Sequence, residues 1–383
     1  MKFSVLVPTF NGGQYLAHTI NSVLSQPYSN LELIVSDNCS TDETQNVLKS
    51  FSGDPRLKVV KTEKTISVAA NWNFAFEASS GDYILLIGDD DCLLPGYFEK
   101  MEKILEQYDY PEAITCNGYG YITPGSIYSN AKSSYQDPYY EYGPEFKKGL
   151  LSQKMRYQIV SDMFRFRVRF PLNIQPHLMS RTGINRVKGD IYRLPYPDHY
   201  ALNALLLRAK TWLFYPEKLF VVGVTPNSCG FFYYNNEPNR ALDYLGIKIE
   251  DANFLPGSMW INGMHTFLNL LKTDHNDKLG NINICRAGYV RRQVYSWYLE
   301  YKAGVTKPKD LLHRFTKLSF GDWIGLMASI FDKKSWKQVW SILSRQRSNP
   351  VKNSFPRSIP VNEIGNIKEF ADWISNGKTN PKS

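Results

Sequence analysis

Gly81-Asp82-Tyr83-Ile84-Leu85-Leu86-Ile87-Gly88-Asp89-Asp90-Asp91 is the stretch from which the fold of this chain is read. Its apolar run is too short for a core helix, is opened by a glycine turn and is closed by three successive carboxylates. That pattern predicts a buried strand that delivers acid to the end of a sheet. Like charges this close repel and raise one another's pKa, so they call for a bound cation or hydrogen-bond donors, and a divalent metal is the simplest cation. The competing reading is an acidic turn in which Asp90 or Asp91 caps a helix opening at Pro95.

Three more apolar runs precede this one, at Phe3, Leu31 and Leu57, so that with Tyr83 the starts fall 28, 26 and 26 residues apart. Each interval has room for a helix. Gln14 to Gln26 places Leu16, Ile20, Val23 and Leu24 at helical spacing, and Ser40 with Glu43 has the form of a capping box ahead of Val47, Leu48 and Phe51. Ser67 to Ser79 is alanine-rich and helical in pattern. Strand and helix alternating at this beat predict an α/β fold with a mainly parallel sheet, whose ligands gather at the carboxyl ends of the strands. Those ends read Pro8-Thr9-Phe10-Asn11-Gly12-Gly13, Ser36-Asp37-Asn38 and Gly88-Asp89-Asp90-Asp91, so polar and acidic groups are expected in one crevice. The first turn lacks GxGxxG and the chain has no GxxxxGK[ST], which leaves a dinucleotide fold and a P-loop without support.

Further on, Pro95 to Tyr108 predicts a helix and Ala113 to Asn117 a strand, followed by a tyrosine-rich excursion of loops and short helices from Gly118 to Phe170. Asp198 to Ala209 predicts a helix, and Trp212 to Tyr215 and Leu219 to Val224 two edge strands. From Ser258 the pattern is helical, over about 258–272, 283–303 and 309–345. The expected division is 1–225 as the main domain, 226–257 as a loop region over the crevice, and 258–383 as a helical extension. Apolar residues beside Lys333, Lys334 and Lys337 in that extension form a basic amphipathic pattern suited to an anionic bilayer, against the alternative of a helical subdomain packed on the core.

The 383 residues carry 45 basic and 36 acidic side chains, a net charge of +9. That charge favours a phosphorylated substrate, an anionic surface or nucleic acid, and the dispersal of the basic residues with no recognised module argues against nucleic acid. Five scattered cysteines without a CxxC pair predict a reducing compartment and no structural zinc. The N-terminus reads as neither signal nor transit sequence, and the longest apolar stretch, Trp323 to Phe331, is about half of the ~20 residues a spanning helix needs. The expected location is the cytoplasm, with peripheral contact at the inner face of the cell membrane.

Ser4 to Gly13, Glu32 to Thr44 and Gly81 to Asp91 together resemble the N-terminal half of family-2 inverting glycosyltransferases of the GT-A fold, the type that builds bacterial surface glycans. The resemblance covers roughly the first hundred residues in order, with a weaker echo at Asp198. It implies a GT-A type, Rossmann-like sheet flanked by helices, a nucleotide-diphosphate sugar donor, most simply a UDP-sugar, a glycan or lipid-linked glycan acceptor, and Mn²⁺ or Mg²⁺. Pro8, Thr9, Asn11 and Asn71 would lie along the nucleotide, Asp37 would accept from the base, and Asp89 would sit by the ribose or the sugar. Asp90, with Asp91 beside it, would hold the metal, and Asp198 would be the catalytic base. The alternatives are turn and cap roles for Thr9, Asn11 and Asp37, and an N-cap role for Asp198. His199 is a second candidate for the base.

The sequence also departs from the family pattern. Gly88 replaces the first acid of DxD, Asn71-Trp72-Asn73 stands where an Arg-Asn pair is common, and the absence of QxxRW predicts one sugar per encounter. For the acceptor, alternating Arg165, Arg167 and Arg169 would face one side of an extended segment and hold a phosphate, or else be surface charges. Tyr233, Tyr234 and Trp260 are candidates for stacking on sugar faces, with core packing as the alternative. A non-catalytic nucleotide- or carbohydrate-binding scaffold and a nucleotidyltransferase on a related sheet remain as readings of another class.

Overall fold

The computed structural model describes residues 1–126, 132–226, 228, 254–302, 304–330, 358–361 and 364–377. The first half alternates strand and helix: β1 (Phe3–Thr9), α1 (Leu16–Leu24), β2 (Leu31–Asp37), α2 (Thr44–Ser50), β3 (Leu57–Lys61), α3 (Val68–Glu77) and β4 (Tyr83–Leu86). The four strands begin at the four residues expected from the apolar runs. There follow β5 (Cys92–Leu93), α4 (Tyr97–Gln107), β6 (Ala113–Ile122), β7 (Ser134–Gln136), β8 (Gly149–Leu150), α5 (Gln153–Phe164), β9 (His177–Ser180), α6 (Arg181–Ile184), α7 (Pro197–Arg208) and β10 (Trp212–Val224). The C-terminal part contributes α8 (Met259–Asp274), α9 (Asn276–Leu279), α10 (Arg286–Lys302), α11 (Pro308–Phe315), α12 (Phe320–Ile330), β11 (Ile359–Pro360) and α13 (Ile367–Ser375).

Across the sheet the order is β3-β2-β1-β4-β9-β6, with β10 on the far edge of β6 and β7 replacing β9 beside the second half of β6. All contacts among β1 to β4 are parallel, and β9 runs antiparallel between β4 and β6. Successive side chains of a strand point to opposite faces, and both faces here are covered. Phe3, Val5, Val7, Leu33 and Val35 pack with Leu16, Ile20 and Val23 of α1 and with Phe98, Met101 and Leu105 of α4. Leu6, Ile34, Ile84 and Leu86 point the other way, into a core shared with α3, α5, α7 and α8. The result is a three-layer α/β/α fold.

Several local expectations change in three dimensions. The two edge strands expected around Pro216 are one strand, β10, whose register on β6 shifts between Phe214 and Lys218 because a proline has no N–H to give the ladder. The strand at Ala113 runs on to Ile122, and the tyrosine-rich excursion holds the twelve-residue helix α5, capped by the Ser152 hydroxyl on the Met155 N–H. Ser40 and Glu43 do not form a capping box, because Ser40 accepts instead from the Asn11 N–H. The last helical stretch breaks at Thr316 to Ser319, and its part beyond Ile330, including the lysines at 333, 334 and 337, lies outside the described residues. The amphipathic helix α13 returns to the sheet, stacking Phe370 on Tyr121 at 5.0 Å and joining Cys92 and Val221 in a small core of its own. Among the described residues no helix is long and apolar enough to cross a membrane.

Candidate active site

Parallel pairing brings the carboxyl ends of β1, β2 and β4 side by side. Thr9 and Asp37 are partners in the β1–β2 register, as are Pro8 and Ser36, and the Asn38 N–H donates to the Thr9 carbonyl at 2.9 Å. Asn11 takes the left-handed conformation, with φ 55°, that the sharp turn after β1 requires and that asparagine tolerates. Its N–H donates to the Ser40 hydroxyl at 2.9 Å and its side-chain oxygen accepts from the Thr41 N–H at 2.8 Å, so the two loops are stitched together. Asp37 is fully buried. One of its oxygens accepts from the Ser40 N–H at 2.9 Å, and the other accepts from the Gln45 amide and lies 3.7 Å from the Lys61 ammonium. Asn71 exchanges hydrogen bonds with Ser36, accepting from its hydroxyl at 2.6 Å, and so fastens α3 to β2.

The three acids after β4 are held in three different ways. The Thr9 hydroxyl donates to Asp89 Oδ2 at 2.5 Å, and Gly12 closes over the pair so tightly that a Cβ there would lie 2.1 Å from the same oxygen. Asp90 Oδ2 accepts from the Thr225 hydroxyl at 2.9 Å and the Ser228 hydroxyl at 2.6 Å. Asp91 is 2% exposed and spends both oxygens on backbone amides, Gly88 at 2.6 Å and Gly223 at 2.9 Å, which buckles the acidic turn to β10. A Cβ on Gly223 would lie 2.0 Å from the Asp90 carbonyl oxygen, so only glycine admits this approach. Thr19 of α1 holds the same turn from the other side, its hydroxyl 2.8 Å and 2.7 Å from the Asp89 and Asp91 carbonyls. Burial pushes all three carboxyls above the ordinary range, and the charge of Asp90 raises Asp89 and Asp91 further, Asp89 to about 7. A site that resists its own negative charge in this way favours a cationic or hydrogen-bond-donating ligand.

Asp198 lies in the first turn of α7, and the N-cap position belongs to Tyr196, whose side chain makes no capping bond. The capping alternative for Asp198 is therefore not what the helix uses. Asp198 Oδ1 accepts from the His199 N–H at 2.8 Å and lies 2.9 Å from the His199 ring nitrogen Nδ1, and its side chain is 24% exposed. The His199 ring packs among Tyr196, Trp260 and Phe267, with centroids 5.5, 5.2 and 5.8 Å away. Trp260 is half-buried against Tyr196 at 4.3 Å.

The alternating arginines are not in an extended segment. Phe166 turns left-handed at φ 58° just after α5, and the N–H groups of Arg165 and Arg167 both donate to the Asp162 carbonyl. Arg169 is paired with Glu145 and, at 3.0 Å, with Asp162, whereas Arg167 lines a groove with Arg165 and Arg291. Tyr233 and Tyr234, with most of the 226–257 region, lie outside the described residues.

Sequence reasoning missed Thr19, Gln45, Thr225, Ser228 and Gln175. Gln175 hydrogen-bonds Asp91 through its side chain, and its Oε1 is buried with no hydrogen-bond partner among the described residues. Thr225 and Ser228 reach Asp90 across 135 and 138 residues of sequence, a distance over which no local pattern speaks.

Residues 4–172 match the family model described as Glycosyl transferase family 2. A Haemophilus influenzae protein named as an uncharacterized glycosyltransferase is 26% identical over 283 residues, which is 73% of this chain and 82% of that protein. EpsE of Bacillus subtilis strain 168 is 33% identical over 115 residues, 30% of this chain and 41% of EpsE, so the chain spans about two fifths of that relative's length. Among solved structures, residues 1–349 of Staphylococcus aureus TarS, crystallised with UDP-GlcNAc, superpose with a TM-score of 0.50 at 15% identity, over 88% of this chain and 92% of that one. The shared architecture is that of the GT-A fold.

Proposed function

We propose that this protein is a glycosyltransferase that moves a sugar from a nucleotide-diphosphate sugar, a UDP-sugar, to a hydroxyl of a lipid-linked glycan, one sugar per encounter and with inversion. The observation that carries this reading is the crevice itself, where the ends of β1, β2 and β4 set Thr9, Asp37 and Asp89 side by side within a matched domain. In it Asp37, anchored by the Ser40 N–H, accepts from the base once the Gln45 amide gives up its place on the other oxygen, and the Thr9–Asp89 pair lies against the ribose and sugar. The names of the relatives support the reaction class.

The donor set suits a hard cation. Asp89 and Asp90 each use only Oδ2 on neighbouring hydroxyls, and paired carboxylate oxygens are the ligands Mg²⁺ and Mn²⁺ prefer. No cluster of three or more metal-ligating side chains occurs among the described residues, so the diphosphate and water would complete the shell. Asp90 is the principal ligand in this reading, since both oxygens of Asp91 are filled by amides. A bound ion would neutralise charge on the leaving diphosphate.

In the transfer, the acceptor oxygen forms its bond to the anomeric carbon as the bond from that carbon to the phosphate oxygen breaks. The nucleoside diphosphate leaves with the electron pair, and the acceptor proton passes to Asp198, whose Oδ2 is not engaged by His199. A single displacement inverts the anomeric centre. His199 positions the carboxylate from within its aromatic packing. The test is a thermal-shift panel of UDP, GDP, CDP and dTDP with Mn²⁺, Mg²⁺ or EDTA, followed by UDP release from UDP-sugars. A rise for UDP that EDTA abolishes supports the reading, and no rise on a folded sample favours the non-catalytic scaffold.

A further inference from the structure

The first turn of α1 carries an aromatic side chain that the fold itself does not use. Tyr15 stands at the N-cap of α1, half-buried, and its hydroxyl makes neither a capping bond nor any other hydrogen bond among the described residues. The next residue, Leu16, is fully buried in the core under the sheet, whereas Tyr15 joins none of the apolar cores formed by the described residues. A tyrosine that leaves water usually has packing for its ring and a partner for its hydroxyl. Here neither comes from those residues, so the side chain is placed for a group from outside.

The path of the chain fixes where it stands. Helix α1 follows the carboxyl end of β1, so its first turn lies at the crevice and each later turn lies deeper. The Tyr15 N–H donates to the Gly12 carbonyl at 2.9 Å, and Gly12 is the residue pressed against the Asp89 carboxylate. Thr19 comes four residues after Tyr15, on the same face of the helix, and its hydroxyl holds the Asp89 and Asp91 carbonyls. Residues on both sides of Tyr15 thus touch the acidic turn, and the phenol between them faces Asp89 and Asp90. Burial, then the charge of Asp90, then that of Asp89 raise its pKa, so it stands in the crevice as a protonated donor at the end where an ion would sit. The Oδ2 atoms of both carboxylates are already taken, by the hydroxyls of Thr9, Thr225 and Ser228.

We infer that Tyr15 binds the donor, its hydroxyl giving a hydrogen bond to the β-phosphate of the nucleotide beside the ion that Asp90 would hold. This deepens the glycosyl-transfer reading and rests on it. The β-phosphate is the one further from the base, so with the base at Asp37 it lies toward Asp90. A neutral donor there stabilises the charge that grows on the leaving diphosphate, without competing for the ion. The experiment is calorimetric titration of the full wild-type chain and of Tyr15→Phe with UDP and with UMP, each in Mn²⁺, beside a melting curve of each chain without nucleotide. The Phe variant keeps the ring and loses only the hydroxyl. Its UDP affinity is expected to fall roughly tenfold, as for one hydrogen bond to a charged acceptor, while UMP affinity and the melting midpoint stay at the wild-type values. Equal UDP affinity in the two chains, or equal weakening of UDP and UMP, overturns the inference and leaves the donor reading standing. A wild-type chain that binds no UDP overturns the donor reading, and this inference with it.

Discussion

The hydroxyl of Thr9, the last residue of β1, donates to the carboxylate of Asp89, 80 residues later in the chain, at 2.5 Å. This bond joins the first and last strand ends of the crevice, and it supplies a donor to a carboxylate that burial and Asp90 both push toward protonation. Thr9→Val keeps the shape and removes the donor. The cost is about 1–3 kcal/mol of stability, the range for a hydrogen bond to a charged, part-buried acceptor, and nucleotide affinity falls roughly tenfold. Calorimetric titration with UDP and a melting curve read both effects, and Thr9→Ser restores them. A Val variant that binds as tightly as wild type would show that the clasp is not part of the nucleotide site.

Gly223 bears on the metal-binding reading through a steric contact alone. Its N–H holds Asp91, and a Cβ would stand 2.0 Å from the Asp90 backbone oxygen, which no side-chain rotation relieves. Gly223→Ala is expected to displace the acidic turn, lower stability by about 1–3 kcal/mol, and weaken Mn²⁺-dependent nucleotide binding more than metal-free binding. Titrations with Mn²⁺ and with EDTA separate the two. Equal weakening in both would mean that the turn does not hold the ion.

Asp198→Asn preserves the contacts of a neutral, isosteric side chain and removes the proton acceptor. Transfer should fall by ~10²–10⁴-fold while UDP affinity stays within error of wild type. Initial rates of UDP release, with and without acceptor, check the first point and calorimetry the second. Full activity would take Asp198 out of the chemistry and leave His199 as the candidate base.

His177 makes stability depend on pH. It is completely buried, its Nε2 lies 3.2 Å from the Pro171 carbonyl, and its Nδ1 lies 3.0 Å from the Thr115 hydroxyl, which itself accepts from the Trp212 indole at 2.7 Å. The carbonyl acceptor assigns the ring proton to Nε2. Burial pushes its pKa down to about 3, so the unfolded chain takes up a proton near 6.5 that the folded chain refuses until far lower pH. The stabilisation is complete above about pH 6.5 and declines as the pH falls from there toward 3, with a slope of up to about 1.4 kcal/mol per pH unit. His275, pushed down to about 4 by burial and Arg208, adds in the same direction. Urea unfolding at a series of pH values should show a shallower acid limb for His177→Gln than for wild type, and parallel curves would refute the assignment.

Much of the first half was legible because its signals are local. An apolar run between turns is a strand whatever surrounds it, and the starts at Phe3, Leu31, Leu57 and Tyr83 were readable one run at a time. The Ser67 cap on Ala70 is equally local, and so is the order of strand and helix that places the polar ends together. Where a residue had competing partners, local pattern misled. Ser40 looked like a cap and became an acceptor for Asn11, and the alternation of Arg165, Arg167 and Arg169 dissolved once Phe166 turned left-handed. The gap between the strands expected at Trp212 to Tyr215 and Leu219 to Val224 is an irregularity within one strand.

The sequence by itself determined that acid stands at the end of a buried strand and that three strand ends share a crevice, since period and spacing are properties of neighbours along the chain. Only the tertiary structure decided what each acid does. Asp89, Asp90 and Asp91 are identical in chemistry and adjacent in sequence, yet one meets a hydroxyl from β1, one meets two hydroxyls beyond β10, and one is filled by two amides. A carboxylate's role is set by the donors within about 3 Å of it. Apart from Gly88, those donors arrive from residues 80 to 138 positions away, brought there by the packing of the sheet.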